Sequence, residues 1–300
     1  MIRSITVTNL ENGSELKLTL TSPETSQGFA VVDCTGLGPG QATINTSDWV
    51  TVDGGYVEST RLPKRTINLT LRLIPTEYWE SVADIRRRSY KYFPIKKQIR
   101  LLFECVDYKN RVKKYFIEGV VEKNNPNIWS EAEECAISIV CPSPYFQNAE
   151  SKEVDFNLSV PLFHFEFPDD DMGHPYPVSE LLDHVTATVY NTSTMDIGVI
   201  FYLYAGGTVK NINIYNTTTN ERMLLNMTLN RGDTLIIDTR PGHKSIRTND
   251  GFNTNKLQYL ALDSKWITIR QGENNIGWWC DEGGAKLKAK YKITELYQGI

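Results

Sequence analysis

The sequence contains few of the residues on which catalysis, metal binding and disulfide cross-linking depend. Its 300 residues include five cysteines and four histidines. The cysteines form no CxxC pair, and an odd number in a long chain argues against both a disulfide framework and a zinc ribbon. The histidines lie in no HExxH motif and near no GxSxG motif, so neither zinc hydrolase nor serine hydrolase chemistry is indicated. We expect a protein from a reducing compartment.

Long apolar segments and an excess of positive charge are also missing. No run reaches the eighteen apolar residues of a membrane span, and the segment MIRSITVTNL has no apolar core of signal-peptide length. We therefore expect synthesis and assembly in the cytoplasm of the host cell, without insertion into a membrane. The formal net charge of -4 disfavours general binding to nucleic acids. The run Arg86-Arg87-Arg88 is interpreted as a solvated helix face.

Two segments resemble binding sites only superficially. Gly36, Gly38 and Gly40 lack the spacing and the following Lys-Ser/Thr of a phosphate loop, so we interpret them as a turn or a subunit contact. Asp169–Asp171 and His174 offer ligands to calcium, but the alternating DxDxDG arrangement is absent, and a solvated loop is the preferred interpretation. The sequence thus indicates no catalytic residue, no cofactor and no metal site.

Alternation of apolar and polar residues is the dominant pattern of the sequence. Segments such as Leu16–Leu20, Ile67–Leu73 and Leu287–Ile293 place every second side chain on one face, which predicts strands with one buried side. One segment, TEYWESVADIRRRSYKYF, has helical spacing, with Thr76 as the predicted N-cap and Pro94 just beyond the end. The predicted class is all-β, with two β-sandwich domains, the first of which contains one helix.

Prolines mark the predicted domain boundary. The strand CAISIVC runs into Pro142 and Pro144, which end sheet pairing. We place the first domain at residues 1–148 and the second at residues 149–300. In the second domain, three tryptophans are candidates for a platform that stacks on sugars, although burial in a sandwich core is the commoner outcome for such residues. They are Trp266, Trp278 and Trp279.

The order of several motifs resembles that of siphophage distal tail proteins, and the resemblance spans nearly the whole chain. The segment CPSPYF at residues 141–146 is similar to the family's domain junction and is the most telling motif. The other motifs are RLPKRTINLTLRL (61–73), YKYFPIKKQIRLLF (90–103), YFIEGVVEK (115–123), FHFEFPDDDMG (163–173), TLIIDTRPGHKSIRTNDGFN (234–253) and DSKWITIRQGENNI (263–276).

The resemblance implies a non-enzymatic structural protein at the tail tip of a virion. The first domain would form a ring, six subunits in known relatives, and the second would be a galectin-like or carbohydrate-module-like sandwich. Implied partners are further copies of the chain, the tail tube protein, the tail-tip hub and a receptor-binding protein, while phage DNA passes through the lumen without sequence-specific binding. A closed ring needs heterologous contacts, and we expect Gly36–Gly40 and Arg61–Arg65 among them, through edge pairing and loop exchange.

Two alternative functions remain open from the sequence. One is a carbohydrate-binding tail protein, in which the second domain contacts a glycan of the host surface. The other is a glycan-cleaving tail enzyme, which is disfavoured because no pair of carboxylates can be singled out.

Overall fold

The computed structural model divides the chain into two compact units. One comprises Met1–Glu150 and Leu296–Ile300, and the other comprises Ser151–Glu295. The second domain was predicted to extend to residue 300, whereas the last five residues lie in the first unit, because two of them pair with a strand that follows Pro144. The structure describes residues 1–20, 26–151, 153–156, 159–161, 179–181, 184–250 and 254–300.

The first unit contains a nine-stranded antiparallel sheet, a separate two-stranded sheet and one α-helix. Its strands are β1 (Ile2–Asn9), β2 (Glu15–Thr19), β3 (Phe29–Thr35), β4 (Thr43–Asp48), β5 (Gly55–Arg61), β6 (Arg65–Leu73), β7 (Gln98–Val106), β8 (Val112–Pro126), β9 (Glu134–Cys141), β10 (Phe146–Asn148) and, last in the chain, β23 (Leu296–Tyr297).

The nine-stranded sheet curls around one hydrophobic core. Seven of its strands follow the order β2-β1-β7-β8-β9-β6-β3, and the two end strands, β2 and β3, contact each other. Strand β6 shows how the sequence dictates this packing, because its residues alternate between buried and more exposed along nearly its whole length. The buried leucine and isoleucine side chains each contribute about 1.5–3 kcal/mol through removal of apolar surface from water.

The junction after β9 is a bend along one edge of β8. Val140 of β9 pairs with Val120 of β8, so an unbroken register would place residue 144 opposite Phe116. Instead Gln147 of β10 lies opposite Phe116. The segment that contains Pro142 and Pro144 therefore inserts three extra residues before the chain pairs with β8 again. Strand β23 then covers the other edge of β10.

The helix α1 (Val82–Tyr92) begins later than predicted. Its N-cap is Ser81, not Thr76, because Ser81 and Asp84 form a reciprocal capping box, a stronger start signal than a lone threonine. The helix ends at Phe93, directly before Pro94, as predicted. Ile85, Ser89 and Tyr92 are its buried residues.

The basic run of α1 is not simply a solvated face. Arg86 forms two hydrogen bonds with the Glu133 carboxylate, at 3.0 and 2.9 Å. Arg88 forms an ion pair with Glu80 and donates to the Gln27 carbonyl at 2.7 Å. These contacts attach the helix to the segment before β3, which contains Gln27, and to the segment between β8 and β9, which contains Glu133. Of the three arginines only Arg87, which is 80% exposed, is solvated as predicted.

The second unit contains a six-stranded sheet, a four-stranded sheet and a two-stranded sheet. The six-stranded sheet follows the order β11-β22-β15-β18-β19, with β20 paired to β15; the four-stranded sheet follows β14-β21-β16-β17; and β12 pairs with β13. These strands are β11 (Glu153–Asp155), β12 (Ser159–Pro161), β13 (Ser179–Leu181), β14 (His184–Asn191), β15 (Ile197–Ala205), β16 (Val209–Asn216), β17 (Glu221–Leu229), β18 (Thr234–Asp238), β19 (Ser245–Thr248), β20 (Thr268–Ile269), β21 (Gly272–Glu282) and β22 (Leu287–Ile293).

The all-β class predicted from alternation is confirmed, with its single helix in the first unit. The first unit differs from a simple sandwich, since its main strands belong to one curled sheet instead of two separate ones. The motif FHFEFPDDDMG (163–173), with its acidic segment Asp169–Asp171, and His174 lie outside the described residues.

Candidate functional site

A two-stranded hairpin in the first unit is exposed along its entire length. It consists of β4 and β5, which pair only with each other and form a sheet of their own. Every residue of β5 is exposed, and in β4 only Ser47 is partly covered. Two strands without further support are marginally stable in water. We call residues 43–61 the arm.

The arm carries an unusual amount of exposed apolar surface. Its two aromatic residues, Trp49 and Tyr56, pack against each other with ring centroids 4.9 Å apart, and both remain about half exposed. A concentration of exposed apolar side chains in one segment is typical of an interaction site. The exposed apolar residues of the arm are Ile44, Trp49, Val50, Val52, Tyr56 and Val57.

The base of the arm is organised around a buried arginine. Arg65, the first residue of β6, is 7% exposed. Its guanidinium donates to the carbonyls of Gly36 at 2.6 Å, Gly38 at 2.7 Å and Pro144 at 2.8 Å, and also to that of Gln298. We call these five residues the Arg65 node. It joins the loop before the arm, the strand after it, the proline junction and the C-terminal segment.

Electrostatics and packing both favour this arrangement. Burial lowers the pKa of Arg65, yet a guanidinium titrates so far above neutrality that it stays charged. The carbonyl dipoles compensate for the loss of hydration, and the guanidinium carbon lies 4.7 Å from the centroid of the Phe146 ring. Tyr115 packs edge-on against Tyr297 nearby, with ring centroids 5.1 Å apart.

Gly36 is required by backbone geometry. Its φ is +87°, and a Cβ at this position would lie 2.3 Å from the Thr66 carbonyl oxygen. Gly38 has no atom within 4 Å of such a Cβ, and Gly40 meets only the end of the Leu62 side chain at 3.9 Å. Of these three glycines, only Gly36 therefore cannot be replaced without strain.

The residues predicted as ring contacts thus separate into two groups. Gly36, Gly38 and Arg65 meet inside the subunit, so the expectation that the Arg65 side chain contacts a neighbouring copy is revised. Gly40, three residues before the arm, and Arg61, its last residue, are exposed, and their contact with another copy stays a prediction. The sequence interpretation identified the segments that flank the arm and missed the arm itself. The Asp-Gly-Gly turn signal at residues 53–55, between two alternating segments, could have identified it.

The predicted tryptophan platform does not form. Trp278 and Trp279 are consecutive in β21, so their side chains point to opposite faces of the sheet. Trp278 is fully buried, and its indole nitrogen has no hydrogen-bond partner among the described residues. Trp279 is 37% exposed. Trp266 is partly buried, with the Lys244 ammonium 5.6 Å from its ring centroid.

In the described part of the chain, potential metal ligands do not cluster, and burial perturbs two of the thiols. No group of three or more His, Cys, Asp or Glu residues there could hold a metal ion. Burial raises the pKa of the Cys34 thiol to about 11 and that of Cys141 to about 12, which favours the protonated thiol over the nucleophilic thiolate at neutral pH. The α-helix found among these residues is too short and too polar to cross a membrane.

Comparisons with known proteins show similarity to phage tail components. Residues 192–294 match the family model described as siphovirus-type tail component, C-terminal domain. The chain resembles the crystal structure of the Dit protein of phage SPP1, described as a paradigm of the hub adsorption apparatus in phages that infect Gram-positive bacteria. The TM-score is 0.62 at 13% identity, over 97% of this chain and 98% of that one. A chain of the phage P2 baseplate matches with a TM-score of 0.49 at 12% identity, over 98% of each chain. No curated protein sequence matches.

The family match covers most of the second unit, and the likeness to the SPP1 protein shows the fold over both units. Together they confirm the resemblance to siphophage distal tail proteins that the sequence motifs predicted.

Proposed function

We infer that this chain, which resembles distal tail proteins over its whole length, is a structural subunit of a siphophage tail tip. Copies of the chain close into a ring, with six as the expected number, between the tail tube and the tail-tip hub. Its partners are neighbouring copies, the tube protein, the hub protein and a receptor-binding protein. The ring is assembled in the host cytoplasm and ends up in the virion, where it has no enzymatic role.

The observation that carries this proposal is the exposed apolar surface of the arm. A closed ring needs a heterologous interface, in which one surface of each subunit fits a different surface of the next. The arm supplies the first of these surfaces, because its apolar side chains are between 45% and 100% exposed in their own subunit. Burying them against a neighbour would contribute roughly 25 cal/mol for each Å² removed from water.

The Arg65 node supports the same function from the base of the arm. A projecting hairpin can meet a neighbour in one defined geometry only if its base is rigid. Gly36 and Arg65 fix the two ends of the segment that contains the arm, and Pro144 and Gln298 anchor the node to the junction and the C-terminal segment. The base is therefore held by hydrogen bonds from Arg65 to three other segments of the subunit.

The experiment is a native mass measurement of the purified full-length protein, followed by electron microscopy of the particles. We expect rings of six times the subunit mass of 34.2 kDa. In the triple variant Ile44→Ser, Val50→Ser, Val52→Ser we expect monomers, because the contact surface becomes polar.

A matched control replaces equally exposed apolar residues elsewhere. Leu262 is fully exposed and Val154 is 42% exposed, both in the second unit. The double variant Leu262→Ser, Val154→Ser should form rings like the unchanged protein. The proposal fails if the unchanged protein stays monomeric at its highest soluble concentration, or if the triple variant forms the same rings.

A further inference from the structure

The outer face of the six-stranded sheet in the second unit carries tyrosines between basic residues. Along β15, Phe201 and Leu203 point into the core, so Tyr202 and Tyr204 point outward. On the neighbouring strand β22, Leu287, Ala289 and Tyr291 are buried, while Lys288 and Lys290 are exposed. Both strands therefore present their polar or amphipathic side chains on the same side of the sheet.

The strand register brings these side chains into rows. Tyr202 lies opposite Lys290, and Tyr204 lies opposite Lys288. On its other side Tyr202 faces Ile236, which in turn faces Arg247 of β19. Directly opposed residues lie about 5 Å apart and residues two apart on one strand lie about 7 Å apart, so the two tyrosines and two lysines form one continuous patch. Arg247 lies about 10 Å from Tyr202, on the far side of Ile236. We call Tyr202, Tyr204, Lys288, Lys290 and Arg247 the tyrosine–lysine face.

The tyrosine–lysine face has a positive charge that is only partly compensated. Lys290 lies 3.8 Å from Asp155 of β11, and both side chains are at least half exposed. Lys288 and Arg247 form no ion pair with any other described residue. The surplus is notable because the chain as a whole has a formal charge of -4. An anionic partner would supply the missing counter-charge.

Tyr202 contributes a hydrogen-bond donor to this surface. Burial, and then the nearby Glu153 carboxylate, raise the pKa of Tyr202, so its hydroxyl stays protonated well beyond neutral pH. Tyr204 is 46% exposed and presents more of its ring. A planar apolar ring with a polar tip is the type of side chain that contacts the apolar face of a sugar ring while its hydroxyl binds the sugar's own hydroxyls.

We propose that the tyrosine–lysine face binds an anionic glycan, a sugar polymer that carries phosphate, sulfate or carboxylate groups. The tyrosine rings stack on sugar rings, and Lys288, Lys290 and Arg247 pair with the anionic groups. The proposal does not depend on ring formation. It also assigns glycan binding to a surface other than the tryptophan platform expected from the sequence.

A glycan fits this surface better than a nucleic acid or an acidic protein does. Glu153 and Asp155 on β11 lie opposite Lys292 and Lys290, at one side of the patch. These carboxylates can accept hydrogen bonds from the several hydroxyls of each sugar unit, whereas the backbone of a nucleic acid offers one hydroxyl per nucleotide or none. An acidic protein surface would satisfy the lysines but would leave no specific role for the exposed ring of Tyr204 and the partly buried ring of Tyr202 beside it.

The test is a binding titration of the full-length protein against four fluorescent polymers of similar length: dextran sulfate, uncharged dextran, polyglutamate and oligothymidylate. We expect the tightest binding to dextran sulfate, weakened by salt, with each of the other three at least about tenfold weaker. No binding to dextran sulfate at low salt would overturn the proposal. Equal or tighter binding of polyglutamate or oligothymidylate would also overturn it, and would assign the face to an acidic protein or a nucleic acid.

Point variants separate stacking from charge. Tyr204→Ala should weaken dextran sulfate binding about tenfold. Lys288→Gln should weaken it roughly threefold and should lower its salt dependence. The controls are Tyr190→Ala and Lys210→Gln on the other main sheet, where Tyr190 is 64% exposed; both should bind as the unchanged protein does. If Lys288→Gln weakens binding while Tyr204→Ala leaves it unchanged, the contact is charge alone and the glycan proposal is wrong.

Discussion

The arm and the Arg65 node are neighbours in the sequence and opposites in their chemistry. The arm exposes apolar side chains that would ordinarily be buried, for example Val50, which is fully exposed. The node buries a charged side chain that would ordinarily be exposed, and surrounds it with backbone carbonyls. Each region departs from the usual distribution of apolar and charged residues in the opposite direction.

The difference shows which process each region stabilises, the folding of the subunit or its assembly with other molecules. The node is satisfied within one subunit, so its interactions contribute to the folding of that subunit. The arm is not satisfied within one subunit, so its surface contributes only when another molecule covers it. A rigid base beside an uncovered arm is what a subunit needs if it folds first and assembles afterwards. Changes in the two regions should therefore alter different measurements.

Removal of the Arg65 side chain should have the largest effect on folding. Arg65→Ala leaves the carbonyls of Gly36, Gly38 and Pro144 without their donor in a partly buried place. We expect the free energy of unfolding of the first unit to fall by about 3–5 kcal/mol, as measured by denaturant titration. The control Arg61→Ala changes an exposed arginine of the arm and should cost less than about 0.5 kcal/mol. Similar losses in both variants would show that the node does not stabilise the subunit.

A backbone change in the node should have the next largest effect. Gly36→Ala places a Cβ against the Thr66 carbonyl at a residue with positive φ, and we expect a loss of about 2–3 kcal/mol. Gly38→Ala is the matched control, because its added Cβ meets no atom within 4 Å, and it should be close to neutral. Thermal unfolding of the two variants side by side measures the difference. Equal stability of the two would mean that the loop adjusts and that Gly36 is not structurally required.

Local patterns in the sequence predicted the elements of this fold. The alternation in Ile67–Leu73 depends only on neighbouring residues, and every apolar position of that segment is buried. Pro142 and Pro144 mark the junction because a missing N–H and a fixed φ act locally. The start of the helix was predicted wrongly at Thr76, although the Ser81–Asp84 spacing of a capping box was present in the sequence. The alternation rule would likewise have shown that Trp278 and Trp279 cannot share one face.

Long-range relations could not be predicted from one sequence. The partners of Arg65 lie between 27 and 233 residues away, so no local spacing reveals the node. The arm shows the complementary problem: alternation predicts a strand, but it does not tell whether that strand joins a sheet or projects from it. Burial depends on which segments become neighbours, and this is decided by the whole fold.

The smallest effect on subunit folding should come from the arm, and it is the most informative test of the comparison. In Ile44→Ser, Val50→Ser, Val52→Ser the changed side chains are already exposed, so at low protein concentration the unfolding free energy should change by less than about 0.5 kcal/mol. Assembly stabilises the folded state by mass action, so the melting temperature of the unchanged protein should rise with protein concentration, while that of the variant should not. A variant that is destabilised at low concentration as strongly as Arg65→Ala would mean that the arm is part of the subunit's own core, and the distinction between the two regions would be lost.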